Sequence, residues 1–114
     1  MTATRAVARP RRIHGAPNKT ERAYAQTLEL RKLAGEIQGY DFEPIKLKLA
    51  PLTFYTPDFM VIGNEGQIEF HEVKGFMEDD AAVKIKTASV IHWYAYFYLV
   101  TRAKGGGWNI QLVP

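Results

Sequence analysis

The sequence predicts an α/β domain in which a helix precedes three strands, and a second helix leads to a fourth strand and a short closing strand. Three observations predict this order. An apolar pattern of helical period follows Asn18, and short runs with alternating apolar residues fill the middle of the chain. A continuous β-prone run, WYAYFYLVT, follows a second helical pattern. A continuous apolar strand that comes after a helix is typical of an inner strand reached by a crossover.

Length and composition indicate a single globular domain. The chain has 114 residues, of which 46% are hydrophobic and 12% are aromatic, so one modest core can form. The absence of cysteine excludes disulfides, thiolate catalysis and zinc sites with cysteine ligands, and it is compatible with a reducing cytosol. The sequence contains neither an apolar run of membrane-spanning length nor a signal-peptide core. We therefore expect a cytoplasmic protein without a membrane partner.

The net charge of +3 arises in the first twenty residues. This segment contains five of the fifteen basic residues and none of the twelve acidic ones, which leaves ten basic and twelve acidic residues in the rest of the chain. Pro10, Gly15 and Pro17 argue against a helix, so we expect residues 1–17 to form a flexible basic arm. Such arms often hold nucleic-acid phosphates, although a solvated tail or an organelle transit peptide would have the same composition. The phosphate-binding candidates of this segment are Arg5, Arg9, Arg11, Arg12 and Lys19.

A first helix is predicted from Asn18 to about Gly39. Asn18 is an N-cap residue, and Glu21, three positions later, completes a capping box. Gly35 or Gly39 would end the helix. Glu21 lies at the edge of the predicted apolar face rather than opposite it. That face consists of Ala23, Leu30, Leu33, Ala34 and Ile37, widened by Tyr24 and Leu28.

The remaining elements are assigned from alternation, turn residues and β-propensity. A second helix is predicted from Asp79 or Asp80 to about Ile91. The sequence Gly-Asn-Glu-Gly, at 63–66, is a hairpin connection between the second and third strands. The predicted strands cover residues 40–49, 53–62, 67–74, 93–101 and 108–113.

Two acidic residues meet if this hairpin pairs in the register that its apolar residues favour. Side chains alternate between the faces of a strand, so pairing Ile62 with Ile68 also sets Asp58 against Glu72. Like charges that face each other repel, and burial increases the cost. A divalent cation held by oxygen ligands would offset that cost. Lys74, two residues beyond Glu72, adds a positive charge to the same face.

The residues Pro57-Asp58, followed after a gap by Glu72-Val73-Lys74, resemble the signature of the PD-(D/E)XK nuclease superfamily. The resemblance covers nearly everything that follows the basic arm, and it implies a single nuclease domain over residues 18–114. The implied fold is a restriction-endonuclease-like αβββαβ core, with a mixed central sheet flanked by helices. The implied activity is hydrolysis of DNA phosphodiester bonds with Mg²⁺ or Mn²⁺.

The resemblance also implies roles for individual residues. Asp58, Glu72 and the main-chain carbonyl of Val73 would bind the metal ion. Lys74 would orient the attacking water, lower its pKa or stabilise the phosphorus centre, and beside a metal ion its own pKa should fall. Glu21 would hold a second metal ion or a water, or would only cap the first helix.

The implied partner is DNA. Lys84, on the second helix, would face a phosphate or would only be solvated. Short members with this type of first helix include phage endonucleases and Holliday-junction resolvase-like proteins. We therefore expect a phage or prophage endonuclease that acts on branched DNA in recombination, in the cytoplasm of a bacterial host. Symmetrical cutting of a junction needs two active sites, which predicts a homodimer.

Three alternatives remain open at this point. The chain could be a general or nicking phage endonuclease, or a non-catalytic DNA-binding protein with the same fold. It could also be a structural domain in which Lys74 neutralises Glu72 in a salt bridge. The last alternative leaves Asp58 and the basic arm without a role.

Overall fold

The computed structural model describes residues 16–74 and 79–114 and has a mixed α/β fold. In chain order the elements are α1 (Lys19–Leu33), β1 (Ile37–Phe42), β2 (Leu47–Ala50), β3 (Thr53–Tyr55), β4 (Phe59–Gly63), β5 (Ile68–Val73), α2 (Asp79–Ile91), β6 (Tyr96–Arg102) and β7 (Trp108–Leu112). A five-stranded sheet has the order β1-β4-β5-β6-β7, and β2 and β3 form a separate two-stranded hairpin. In the five-stranded sheet, β5 and β6 are parallel and the other neighbours are antiparallel. In the described part of the chain, both helices fall short of the length and hydrophobicity that a membrane-spanning helix requires.

The predicted start of α1 is confirmed, and of the two glycines predicted to end the helix, Gly35 is the one that does so. The side chain of Asn18 accepts a hydrogen bond from the Glu21 N–H at 2.7 Å, and the Asn18 N–H donates to Glu21 Oε1 at 2.9 Å, which completes the capping box. The helix stops at Leu33 instead of continuing to Gly39. Gly35 adopts a left-handed φ of 80°, which ends the helical hydrogen bonding and lets β1 start at Ile37.

The buried face of α1 differs from the predicted one. Leu30 and Leu33 are 67% and 72% exposed, whereas Tyr24 and Leu28 are completely buried. Two neighbouring rows of the helix both satisfy a period of 3.6 residues, so the period alone does not choose between them. The row that contains the large aromatic ring of Tyr24 packs on the sheet.

Two predicted strands are each divided in the structure. The strand predicted over 40–49 is wrong, because Glu43 has a φ of 48° and Pro44 follows it, so the chain turns from β1 into β2. The strand predicted over 53–62 is interrupted around Pro57 and forms β3 and β4. The resulting β2–β3 hairpin packs against α2.

The predicted hairpin register and crossover are confirmed. Ile62 pairs with Ile68 and Met60 with Phe70 in the antiparallel ladder of β4 and β5. The crossover through α2 makes β6 parallel to β5, and β6 lies inside the sheet. The strand β6 begins at Tyr96 rather than at residue 93, because residues 92–94 form a turn after α2.

The two faces of the sheet have separate cores. The face toward α2 and the β2–β3 hairpin includes Phe70, Phe97 and Ile85. The face toward α1 contains more aromatic side chains. There the ring of Tyr24 packs edge to face against the rings of Phe59 and Trp108. The buried residues of this second cluster are Tyr24, Leu28, Ile37, Phe59, Val61, Val73 and Val100.

A buried polar chain crosses the α1 side of the sheet. His71 is 1% exposed, and its Nδ1 lies 2.7 Å from the Tyr24 hydroxyl while its Nε2 lies 2.9 Å from Glu69 Oε1. A hydroxyl that donates to Nδ1 and an Nε2–H that donates to the carboxylate satisfy every member of this chain. The hydrogen bond from His71 holds the pKa of Glu69 below its usual range. Because His71 points away from the face of Glu72, it does not belong to the acidic pair.

Substituting Tyr24→Phe is expected to lower the free energy of unfolding by roughly 1–3 kcal/mol, because the buried Nδ1 of His71 loses its donor. Urea denaturation followed by circular dichroism measures the loss. Tyr40→Phe is the matched control, since its hydroxyl donates to Glu29 at 2.8 Å in a half-buried position where water can replace it. Equal losses in the two variants would contradict this account of the buried chain.

Candidate active site

Two carboxylates meet where β4 begins and β5 ends. The antiparallel ladder stops at Phe59 and His71, one step before Asp58 and Glu72. Beyond it, the Val73 N–H donates to Asp58 Oδ2 at 2.8 Å. Asp58 is 7% exposed and Glu72 is 5% exposed. The apolar register therefore places both acids in one nearly buried site, on the α2 side of the sheet.

Both oxygens of Glu72 are engaged. The hydroxyl of Tyr55 donates to Oε1 at 2.6 Å, and the ammonium of Lys74 lies 3.1 Å from Oε2. Tyr55 is buried at the end of β3, whereas the Lys74 side chain is 35% exposed and has one side toward solvent. Glu72 is thus held rigidly between a buried donor and a cation at the surface.

The electrostatics of Asp58 show that this arrangement is costly. Burial, and next the charge of Glu72, raise the pKa of Asp58 to about 8. The Val73 N–H and the Lys74 ammonium act in the opposite direction but do not compensate. Without further positive charge, Asp58 therefore keeps its proton at neutral pH, and the protein's own groups do not neutralise two carboxylates here.

The same carboxylates also contribute to the raised pKa values of Tyr55 and Lys74. Burial of Lys74 acts to lower its pKa, but the neighbouring carboxylates of Glu72 and Asp58 outweigh it, so the pKa is raised. The pKa of Lys74 was expected to fall beside a metal ion, and the protein groups alone do not produce that fall. Burial and the charge of Glu72 raise the pKa of Tyr55, which stays a neutral donor.

The two remaining predicted ligands take different positions. Glu21 lies in the first turn of α1, and its charge contributes to the raised pKa of Asp58, although one of its oxygens is used in the capping box. The side chain of Val73 is buried in the core on the α1 side, so only its main chain is available to the site. The sequence-predicted set is thus brought to one end of the sheet, with Glu21 at its margin.

The donor chemistry fits a hard cation such as Mg²⁺. Carboxylate and carbonyl oxygens are its preferred ligands, and Mg²⁺ commonly keeps several waters and takes one or two protein carboxylates. Within residues 16–74 and 79–114, no group of three His, Asp or Glu side chains lies close enough to hold a metal ion. A cation at this site would therefore be bound by the carboxylates of Asp58 and Glu72, with the Val73 carbonyl and water completing its coordination shell.

Sequence reasoning did not find Tyr55 as a partner of Glu72. The two residues are 17 positions apart and meet only because the β2–β3 hairpin packs against α2, on the side of the sheet that Glu72 faces. The predicted phosphate contacts Lys19, on α1, and Lys84, on α2, are both exposed. The predicted contacts that lie outside the described residues are Arg5, Arg9, Arg11 and Arg12.

Comparison of the chain with protein-family models, with curated proteins and with solved structures finds no match.

Proposed function

We propose that this chain is a metal-dependent deoxyribonuclease of the PD-(D/E)XK type, with a restriction-endonuclease-like core. The observation that carries the proposal is the buried pair of Asp58 and Glu72, with Lys74 beside it at the edge of the site. Burial, and next the charge of Glu72, raise the pKa of Asp58 to about 8, so ionising Asp58 in the folded protein costs stability, and a bound divalent cation would offset that cost.

Each side chain has a definite task in this mechanism. Asp58, Glu72 and the Val73 carbonyl would hold a Mg²⁺ or Mn²⁺ ion, which when bound would supply an activated water and neutralise charge on the phosphate oxygens. Tyr55 donates to the carboxylate of Glu72 and fixes its position. Lys74 donates one N–H to Glu72, which leaves two N–H groups for the attacking water or the phosphate.

Glu21 and the basic residues support binding around this centre. Glu21, whose charge contributes to the raised pKa of Asp58, would hold a water or a second ion. The exposed Lys19 and Lys84 contact DNA phosphates. We extend the same role to the basic residues of the arm over residues 1–17.

A structural role for the site is the second candidate, and the 3.1 Å contact between Lys74 and Glu72 favours it. A salt bridge accounts for Glu72 and Lys74. It does not account for Asp58, whose burial next to another carboxylate would then have no compensating gain. A DNA-binding protein that has lost cleavage would share this difficulty.

The test is cleavage of a labelled linear duplex by the purified protein in Mg²⁺, Mn²⁺ or EDTA. We expect cutting only with metal, and its loss in Asp58→Ala. Asp41→Ala, which removes an exposed carboxylate from β1, is the matched control and should cut like the wild type. Cutting that is equal in wild type and Asp58→Ala would indicate a contaminating nuclease and contradict the proposal.

The preferred substrate is proposed to be branched DNA, in phage recombination within a bacterial host. A small domain reads shape and backbone more readily than a long sequence. A panel of four-way junction, flap, nicked and linear DNA of shared sequence measures the preference. Faster cutting of the junction supports a resolvase, whereas equal rates on all substrates would favour a general or nicking endonuclease.

A further inference from the structure

The strand β7 (Trp108–Leu112) is an open edge of the five-stranded sheet. Among residues 16–74 and 79–114, only β6 pairs with it, and its outer side is free. From Asn109 to Leu112 every residue is exposed, with Ile110 at 44% and Leu112 at 50%. Natural edge strands are commonly protected by charges, proline or bulges, and β7 contains none of these.

The opposite edge of the sheet is protected in that manner. The strand β1 (Ile37–Phe42) contains Asp41 and has an irregular register between Ile37 and Gly39. Each strand is followed after one residue by a proline, Pro44 for β1 and Pro114 for β7. Within the strands themselves, the charge and the irregular register of β1 have no counterpart in β7.

The sequence of β7 is symmetrical in chemical class about its central residue. Trp108 and Leu112 are the apolar ends, Asn109 and Gln111 are amides, and Ile110 lies between them. In an antiparallel pair of two such strands centred on Ile110, each Trp108 faces a Leu112 and each Asn109 faces a Gln111. Apolar side chains then meet on one face and complementary amides on the other.

The hydrogen-bonding pattern of β7 agrees with the same centre. The Val113 N–H donates to the Phe97 carbonyl at 2.8 Å, and the Ala103 N–H donates to the Gly107 carbonyl at 3.1 Å, so these flanking pairs are hydrogen-bonded. Hydrogen-bonded pairs alternate along an antiparallel ladder, so Asn109 and Gln111 also turn their backbone groups toward β6.

The backbone groups that point outward consequently belong to the other three residues of the strand, Trp108, Ile110 and Leu112. A two-fold axis at Ile110 brings these three residues opposite one another in a second copy. Each pair of facing residues can then exchange both of its N–H···O=C bonds. Side-chain class and backbone direction thus select one register.

We propose that β7 is a homodimer interface, in which two copies of this chain pair their β7 strands antiparallel about Ile110 to form one continuous sheet. The interface is isologous, as a two-fold axis requires. Asp58 precedes β4 and Glu72 lies on β5, so neither belongs to the β7 interface and each copy keeps a whole site. The inference rests on the edge strand and not on nuclease activity, so either proposal can fail without the other.

Sedimentation equilibrium of the full chain and of Ile110→Lys tests the interface. The two introduced lysines would face each other across the axis in place of an apolar pair, so we expect the dimer dissociation constant to rise roughly tenfold. Val90→Lys is the matched control, because Val90 is 73% exposed on α2 and away from β7, and it should dimerise like the wild type. A wild type that is monomeric at every concentration, or an Ile110→Lys variant with unchanged affinity, would overturn the proposal.

A cysteine variant provides a second test that does not depend on how well the lysine is tolerated. The chain has no cysteine, so Ile110→Cys introduces a single thiol per copy. Hydrogen-bonded antiparallel partners have Cα atoms about 5.5 Å apart, within the range of about 4.4–6.8 Å that a disulfide spans. Mild oxidation should cross-link Ile110→Cys into a covalent dimer and leave Val90→Cys monomeric on a denaturing gel. Cross-linking at Val90 without cross-linking at Ile110 would place the contact elsewhere and overturn the proposal.

Discussion

Replacing Lys74 with alanine is expected to lower the single-turnover rate of DNA cleavage by roughly 100- to 10,000-fold at saturating Mg²⁺, the range for removal of a positioned proton-transfer group. The Lys74 ammonium lies 3.1 Å from Glu72, with two N–H groups left for water or phosphate. Because Lys74 is not a metal ligand, its removal should leave metal binding intact. The loss of a neighbouring positive charge should even tighten the binding of Mn²⁺, which isothermal titration calorimetry measures.

The opposite signs of these two effects separate a catalytic lysine from a structural one. If Lys74 served only to neutralise Glu72, its removal would lower the free energy of unfolding and have no specific effect on cleavage by the folded fraction. Lys32→Ala removes an exposed lysine from the last turn of α1 and is the matched control. A Lys74→Ala variant that cleaves within tenfold of Lys32→Ala would show that the ammonium has no catalytic role.

Substituting Asp58→Asn is expected to increase the free energy of unfolding at pH 8 in EDTA, while it abolishes metal-dependent cleavage. The pKa of Asp58 is raised from 3.8 to about 8, so the folded state keeps a proton that the unfolded chain loses above about pH 4. The wild type therefore loses stability as the pH rises from 4 to 8, whereas asparagine cannot titrate. The difference should reach on the order of 3 to 5 kcal/mol.

The amide oxygen of asparagine can still accept the Val73 N–H, so this hydrogen bond is retained. Urea denaturation at a series of pH values measures the effect, with Asp41→Asn, on an exposed carboxylate of β1, as the matched control. Saturating Mg²⁺ should stabilise the wild type and not Asp58→Asn, so it should reduce the difference in the free energy of unfolding between the two proteins. A gap between wild type and Asp58→Asn that stays constant from pH 4 to 8 would refute the raised pKa.

Such a trade of stability for activity is what a functional site produces, because an arrangement that binds a cation is strained without it. If the site were only a structural salt bridge, its carboxylates would be stabilised by their partners. Removing either partner would then lower the free energy of unfolding.

The elements that local patterns govern could be predicted from the sequence. The capping box of Asn18 and Glu21 requires only the right residues three positions apart, and α2 begins and ends where its pattern does. The register of Ile62 against Ile68 follows from matching apolar residues, and it carries Asp58 and Glu72 to the same site without any knowledge of the rest of the fold. For this reason the pairing of Asp58 with Glu72 could be predicted from the sequence.

Features that depend on distant partners could not be predicted. Whether Leu28 or Leu30 is buried depends on which row of α1 side chains packs on the sheet. The helical period does not specify that row. The turn at Glu43 requires a left-handed backbone at a residue that does not favour it. The contact of Tyr55 with Glu72 joins residues from separate elements, and its geometry exists only once those elements have packed.

If Asp58 and Glu72 form a divalent-cation site, calorimetric titration with Mn²⁺ at pH 7 should show saturable binding to the wild type and an affinity reduced at least tenfold in Asp58→Asn. Binding should also release a proton, because Asp58 holds its proton below about pH 8, and the release appears as a binding enthalpy that depends on the ionisation enthalpy of the buffer. A wild type that binds no Mn²⁺ at millimolar concentration, or that binds it no better than Asp58→Asn does, would show that the two carboxylates do not form a cation site.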